Sequence, residues 1–279
     1  MQEQIIASKL SFSTLLENTQ VNRFRTLLDP TKVNRFNSTP LGRLYNDLLA
    51  FFAQTEDFEL DTAKLLAKVA LPASLERNMA AQIINYGYCS RYQEEDTLID
   101  IAGYELERSP SNVILVAVQE LKGSKVVLGT FRIAWENLEV FQLFEVSTGR
   151  SWPHWTLAQK PGEAGKCSMH PILDLLSTSS LPKLSQLGNT YKAMAFTMMW
   201  ELALKLFKDN QIGCMYYIAS PRAQQFFSHM GIRSTQCEGV LPSATQEAQR
   251  LRREWWQYFK PAELPENQSH VYYCPVESQ

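Results

Sequence analysis

Between Gly162 and Ile232 the apolar pattern changes period three times, and this succession limits the fold more than any other feature of the chain. GEAGKCSMHP (162–171) reads as a strand ending at a proline. MAFTMMWELALKLFKD lies in an apolar helix over about 190–208, and IGCMYYIA (212–219) is a short buried strand. A second, amphipathic helix ends in FFSHMGI (226–232). Strand, helix, strand, helix is a crossover unit, so its two strands run parallel and the cleft at their ends is the default ligand site.

A parallel pair is stable only when covered, and 279 residues, 45% of them hydrophobic, can form such a core as one large domain or two ordinary ones. The net charge of −2 provides no overall field toward nucleic acid or anionic lipid. The five cysteines (Cys89, Cys167, Cys214, Cys237, Cys274) include no CxxC pair, so neither a zinc site nor a disulfide framework is indicated. Cys167 and Cys214 lie in apolar strand patterns, as reduced buried thiols do, and a reducing cytoplasm follows. No basic region precedes an apolar run at the N-terminus, and no apolar run reaches membrane-spanning length, so neither a signal peptide nor a membrane span is expected.

Residues 1–80 read as helical, a cap or a partner-docking element, with 81–279 as the main domain. LGRLYNDLLAFF (41–52) places apolar residues at 41, 44, 45, 48, 49 and 52, one buried helical stripe. Asp61 is read as the cap of a helix over TAKLLAKVA, stopped by Leu71-Pro72, and Ser74 as the start of the next, carrying AAQIINYGYCSRY. NVILVAVQEL (112–121) and SKVVLGTFRIAW (124–135) are a β-hairpin turning at Lys122-Gly123. Arg132 is a charge inside a strand and so needs an acidic partner, Glu163 or Glu145. Near the C-terminus, Trp255, Trp256, Tyr258 and Phe259 mark an amphipathic helix, a lid or a homodimer surface. SHVYYCPV (269–276) is the last strand.

The order of elements, with an aromatic-x-x-x-Gly-Ile end to the second helix, resembles the acyl-binding half of the GNAT acyltransferase superfamily. EAGKCSMHP is similar to the Glu-x-Ser-Arg…His-Pro strand of its acyl-homoserine lactone synthase and long-chain N-acyl amino acid synthase branch. Glu163 falls on the Glu, Gly165 on the Ser, Lys166 on the Arg, and His170-Pro171 on the His-Pro. Gly129-Thr130-Phe131-Arg132 resembles the family's Gly-x-x-Arg strand. The resemblance covers roughly Ala81 to Tyr273. It implies an α/β fold: a mixed, mostly antiparallel sheet of about seven strands with a central parallel pair, flanked by helices, plus the N-terminal helical region.

The resemblance also implies an enzyme that moves an acyl group from an acyl thioester to the amine of an amino acid or similar small acceptor. Glu163 is the preferred base; Glu145, in a second Glu-x-Ser match with its basic residue displaced to Arg150, is the rival. Lys166 and Arg132 would hold an acceptor carboxylate. Arg91 and Tyr92 are candidate acceptor contacts, or a surface helix end. Trp200 is a wall for the acyl chain, or plain core.

The family's glycine-rich phosphate cradle is reduced here to Gly188, with Lys183 and Lys192 as nearby bases. That departure fits acyl carrier protein as donor better than coenzyme A, with no permanently bound cofactor. Where many relatives carry an acidic tyrosine stands Phe227, which cannot donate a proton, leaving Ser228, His229 or water. A catalytically retired binding protein is the alternative, and an ordinary acetyl-coenzyme A N-acetyltransferase a third.

Overall fold

A computed structural model describes residues 64–91, 112–121, 124–136, 138, 140, 159–179, 182–219, 221–236, 270–277 and 279. Its strands are β1 (Leu65–Val69), β2 (Val113–Leu121), β3 (Ser124–Ala134), β4 (Pro161–Met169), β5 (Cys214–Ala219), β6 (Thr235–Gln236) and β7 (His270–Pro275). Four helices accompany them: α1 (Leu75–Arg91), α2 (Pro171–Ser177), α3 (Pro182–Asp209) and α4 (Pro221–His229). The strands form one sheet in the order β1-β2-β3-β4-β5-β7-β6. β4 and β5 are parallel, while the β1–β2, β5–β7 and β6–β7 pairs are antiparallel. This is the mixed seven-stranded sheet with an internal parallel pair and accompanying helices that was expected.

The chain divides into two compact units, the first holding residues 1–108, 114–130 and 167–199, the second 109–113, 131–166 and 200–279. In the first, β2 is buried from Ile114 to Val118 on successive residues, as its unbroken apolar run requires. β1 pairs with it from Leu65↔Gln119 to Val69↔Leu115. That pairing corrects the expected helix over TAKLLAKVA. Leu, Ala and Lys favour helix in isolation, but five residues are too few to show a period, and the backbone bonds offered by an apolar strand decide. α1 starts as expected, with Ser74 Oγ accepting from Arg77 N at 3.2 Å. Among the described residues, no helix is long and apolar enough to cross a membrane.

The second unit is built on β5, with Cys214 to Tyr217 all buried. Cys214, Tyr216 and Val271 form a core with Ala134, Leu138 and Val140. Burial pushes the Cys214 and Cys274 thiols up to about 11 and about 12, so both stay protonated and unreactive at neutral pH. α3 begins earlier than expected, at Pro182, a residue suited to the first helical turn. It ends where Ile212 N bonds Phe207 O at 2.8 Å, with Gln211 in the left-handed region at φ 60°.

Gln211 is exposed, so its side chain contributes little there, while its Cβ strains the backbone. Gln211→Gly should raise stability by about 1 kcal/mol, read from the urea midpoint at unchanged slope. A lower midpoint would contradict the strained cap.

Candidate active site

β4 is the strand around which the candidate residues gather. It pairs with β5 from Pro161↔Cys214 to Ala164↔Tyr217, and both strands then continue, through Gly165 and Lys166 on one side and Ile218 and Ala219 on the other. Gly165 faces Arg132, whose Nη2 is 3.8 Å from where a Cβ would sit. A Cβ on Gly129 would come within 2.9 Å of the Met169 sulfur.

Glu163 is 6% exposed and Arg132 3%. The Arg132 guanidinium donates to Glu163 Oε1, and Arg132 Nη1 donates to Asn112 Oδ1 at 3.3 Å. The backbone N–H of Val140 donates to Glu163 Oε2 at 3.0 Å. Both carboxylate oxygens are thus engaged, one by the guanidinium and the other by a main-chain amide. Three chain segments besides β4 meet at this charge. The strand position of Arg132 required an acidic partner, but nothing in the sequence marked Asn112 or the Val140 amide as the neighbours that complete the cluster.

His170 is fully buried and caps α2, its Nδ1 accepting from Ile172 N at 3.2 Å. Burial pulls its pKa down to about 3, so the ring is neutral at any physiological pH. Pro171 follows in the first helical turn, so the His-Pro pair works as a helix start.

Gly188 lies inside α3, and a Cβ there would come within 2.3 Å of Ser177 N and 2.7 Å of Leu176 Cβ. Its glycine serves the close crossing of α2 and α3. Lys192 reaches α2 as well, 2.5 Å from Asp174 Oδ1 and 2.7 Å from Ser177 Oγ, while Lys183 is exposed. Trp200 is 8% exposed and tilts against Phe131 with centroids 6.0 Å apart, a core contact. Arg91 ends α1; Tyr92, Glu145 and Arg150 lie outside the described residues.

Phe227 sets its ring edge-on to Tyr217 at 5.3 Å. The Tyr217 hydroxyl lies 2.9 Å from Gln224 Oε1 and 2.8 Å from Ser234 Oγ, and burial pushes it up to about 12. A phenol so held is a weak proton donor. Ser228 and His229 are exposed on α4, and His229 Nδ1 lies 2.7 Å from the Gln225 carbonyl of its own helix. Among the described residues, no three His, Cys, Asp or Glu side chains converge as metal ligands.

No protein-family model matches the sequence, and no match is found among curated proteins. Solved structures do resemble it. One is FeeM, an N-acyl amino acid synthase from uncultured soil microbes, with 15% identity, 76% of this chain and 91% of that one covered, and a TM-score of 0.45. The AHL synthase LasI shares 10% identity over 76% of this chain and 90% of its own, with a TM-score of 0.40. An acetyltransferase from Streptococcus agalactiae shares 10% over 76% and 98%, with a TM-score of 0.39.

Two measurements check these assignments. Gly188→Ala should destabilise by about 1–3 kcal/mol, because its Cβ meets backbone that cannot turn aside; a neutral result would return Gly188 to the list of ligand contacts. His170 is neutral when folded and ionises below about 6.5 when unfolded. The unfolded state therefore binds the extra proton as pH falls from about 6.5 to about 3. Stability contributed above that window is lost within it, by something on the order of a few kcal/mol. His170→Asn, which keeps an acceptor for Ile172 N, should flatten that limb of the stability–pH curve. An unchanged limb would mean that the ring is not buried neutral.

Proposed function

We propose that the chain is an N-acyltransferase that moves an acyl group from an acyl thioester to the amine of an amino acid or similar small acceptor. The observation that carries this reading is the parting of β4 and β5 after Ala164↔Tyr217. Two parallel strands that separate mid-sheet leave main-chain N–H groups of β4 outside the β5 ladder, fixed donors for a thioester carbonyl and its oxyanion. The amine nitrogen bonds to the carbonyl carbon, the C–S bond breaks, and the proton that the nitrogen then sheds passes through water to the thiolate. Glu163, a buried carboxylate one residue before the last pair of the β5 ladder, takes the ammonium proton through a water. Arg132 is engaged by Glu163 and Asn112, and the acceptor's carboxylate is assigned to Lys166, on the Arg position of the strand motif.

Acyl carrier protein is the favoured donor and partner. The packing of Gly188 against Ser177 supports this, since the glycine is used inside the fold and the cradle for a coenzyme A pyrophosphate is correspondingly thin. A second reading, a binding protein without catalysis, draws on Phe227 and on the commitment of Arg132 and Glu163 to each other.

Purified chain should form N-acyl amino acids from carrier-linked donors, detected by mass spectrometry. Glu163→Gln should lower the rate by roughly 10²–10⁴-fold per folded molecule, the contribution of a general base, and the loss should shrink as pH rises and frees the amine. Folded protein must be measured alongside, because removing one partner of a buried pair costs about 3–5 kcal/mol. Unchanged turnover in Glu163→Gln would transfer the role to Glu145. No product from any carrier-linked or coenzyme A-linked donor would leave the binding-protein reading.

A further inference from the structure

The Arg132 guanidinium divides its two terminal nitrogens between two acceptors. Nη2 donates to Glu163 Oε1, and Nη1 to Asn112 Oδ1 at 3.3 Å. A guanidinium beside a carboxylate frequently closes on it as a fork, with both nitrogens on the two oxygens. Here the fork is opened, and Glu163 Oε2 accepts from Val140 N at 3.0 Å. Asn112 is buried like the two charges it adjoins. Because a guanidinium only donates, the Asn112 amide must present its oxygen to Arg132. An aspartate would have the same shape and offer the same oxygen with a charge. The chain carries the neutral form at this place.

We propose that Asn112 is a positioning residue for the acyl transfer: it holds Nη1 of Arg132 away from Glu163, so that the base meets one guanidinium nitrogen rather than two. The proposal rests on the reading of Glu163 as that base. A carboxylate gripped by both nitrogens loses basicity, since each hydrogen bond to the charged form favours that form. A second carboxylate in place of Asn112 would act the other way, sharing the guanidinium and repelling the charge on Glu163. The structure also sets the Val140 amide and, as register partner on β5, Tyr216 beside Glu163. Neither changes in the variants that test the idea.

The test follows the Glu163 carboxylate itself. The full chain is isotope-labelled at the glutamate side-chain carboxyl carbons, Glu163 is assigned by its loss in Glu163→Gln, and its titration is read by NMR. Asn112→Ala, which allows the fork to close, should lower the midpoint, and Asn112→Asp should raise it, each by roughly one pH unit or more. In acylation assays the acid limb of kcat/KM should move the same way as the midpoint in each variant. A residue that merely fills space would change stability without moving the midpoint in opposite directions. Asn112→Asp keeps the shape of the side chain, so it reads the proposal even where Asn112→Ala does not fold. A midpoint unmoved or lowered in Asn112→Asp, or raised in Asn112→Ala, would overturn the proposal. The titration needs no substrate, which separates the two claims. An active chain with unmoved midpoints sinks the role of Asn112 alone, and an inactive chain with shifted midpoints sinks the acyl-transfer reading alone.

Discussion

The buried ion pair between Arg132 and Glu163 is the constraint on which the site depends. Two charges removed from water must be matched by good geometry and further hydrogen bonds, and Asn112 and the Val140 amide supply those bonds. β3 and β4 are held side by side at that point, and the Val140 amide is bonded to β4's carboxylate. One residue beyond Glu163, at Ala164, the β5 ladder ends. The pair therefore fixes β4 immediately before the ladder's end, so that its amides beyond the ladder are set by the fold rather than by a substrate. Preorganised donors of this kind stabilise developing charge without reorganising during reaction.

The same pair sets a limit on the chemistry. A carboxylate already accepting from a guanidinium and an amide can hold a water, but it is not free to swing toward an acceptor. The Tyr217 hydroxyl, at the ladder's end, is tied to Gln224 and Ser234. In the proposed reaction solvent carries the protons, which suits a thiolate leaving group, since it needs little help to depart near neutral pH.

Much of the fold was legible in the sequence because its central elements are long or flanked by clear punctuation. The β2–β3 hairpin, the Ser74 start of α1 and the β4–α3–β5 crossover follow from apolar runs, a turn and a cap. β1 was not legible, since LLAKV carries helix-forming residues and its strand state comes from pairing with β2. In the site, the pairing of Arg132 with Glu163 could be anticipated from the cost of a charge inside a strand. The duties of His170 and Gly188 could not. Both depend on α2, seven residues long, whose capping and close crossing appear only once the backbone is placed. A motif records which residue types recur at a spacing, and a helix cap and a ligand contact leave the same record.

The central claim, that the thioester is held where β4 and β5 part, is tested most directly by following backbone amide resonances during titration with a non-hydrolysable acyl thioester analogue, on coenzyme A and on acyl carrier protein. The account predicts that the largest shifts fall at Gly165, Lys166, Ile218 and Ala219. Binding that leaves those four amides unmoved, or no shift anywhere with either carrier, would contradict it.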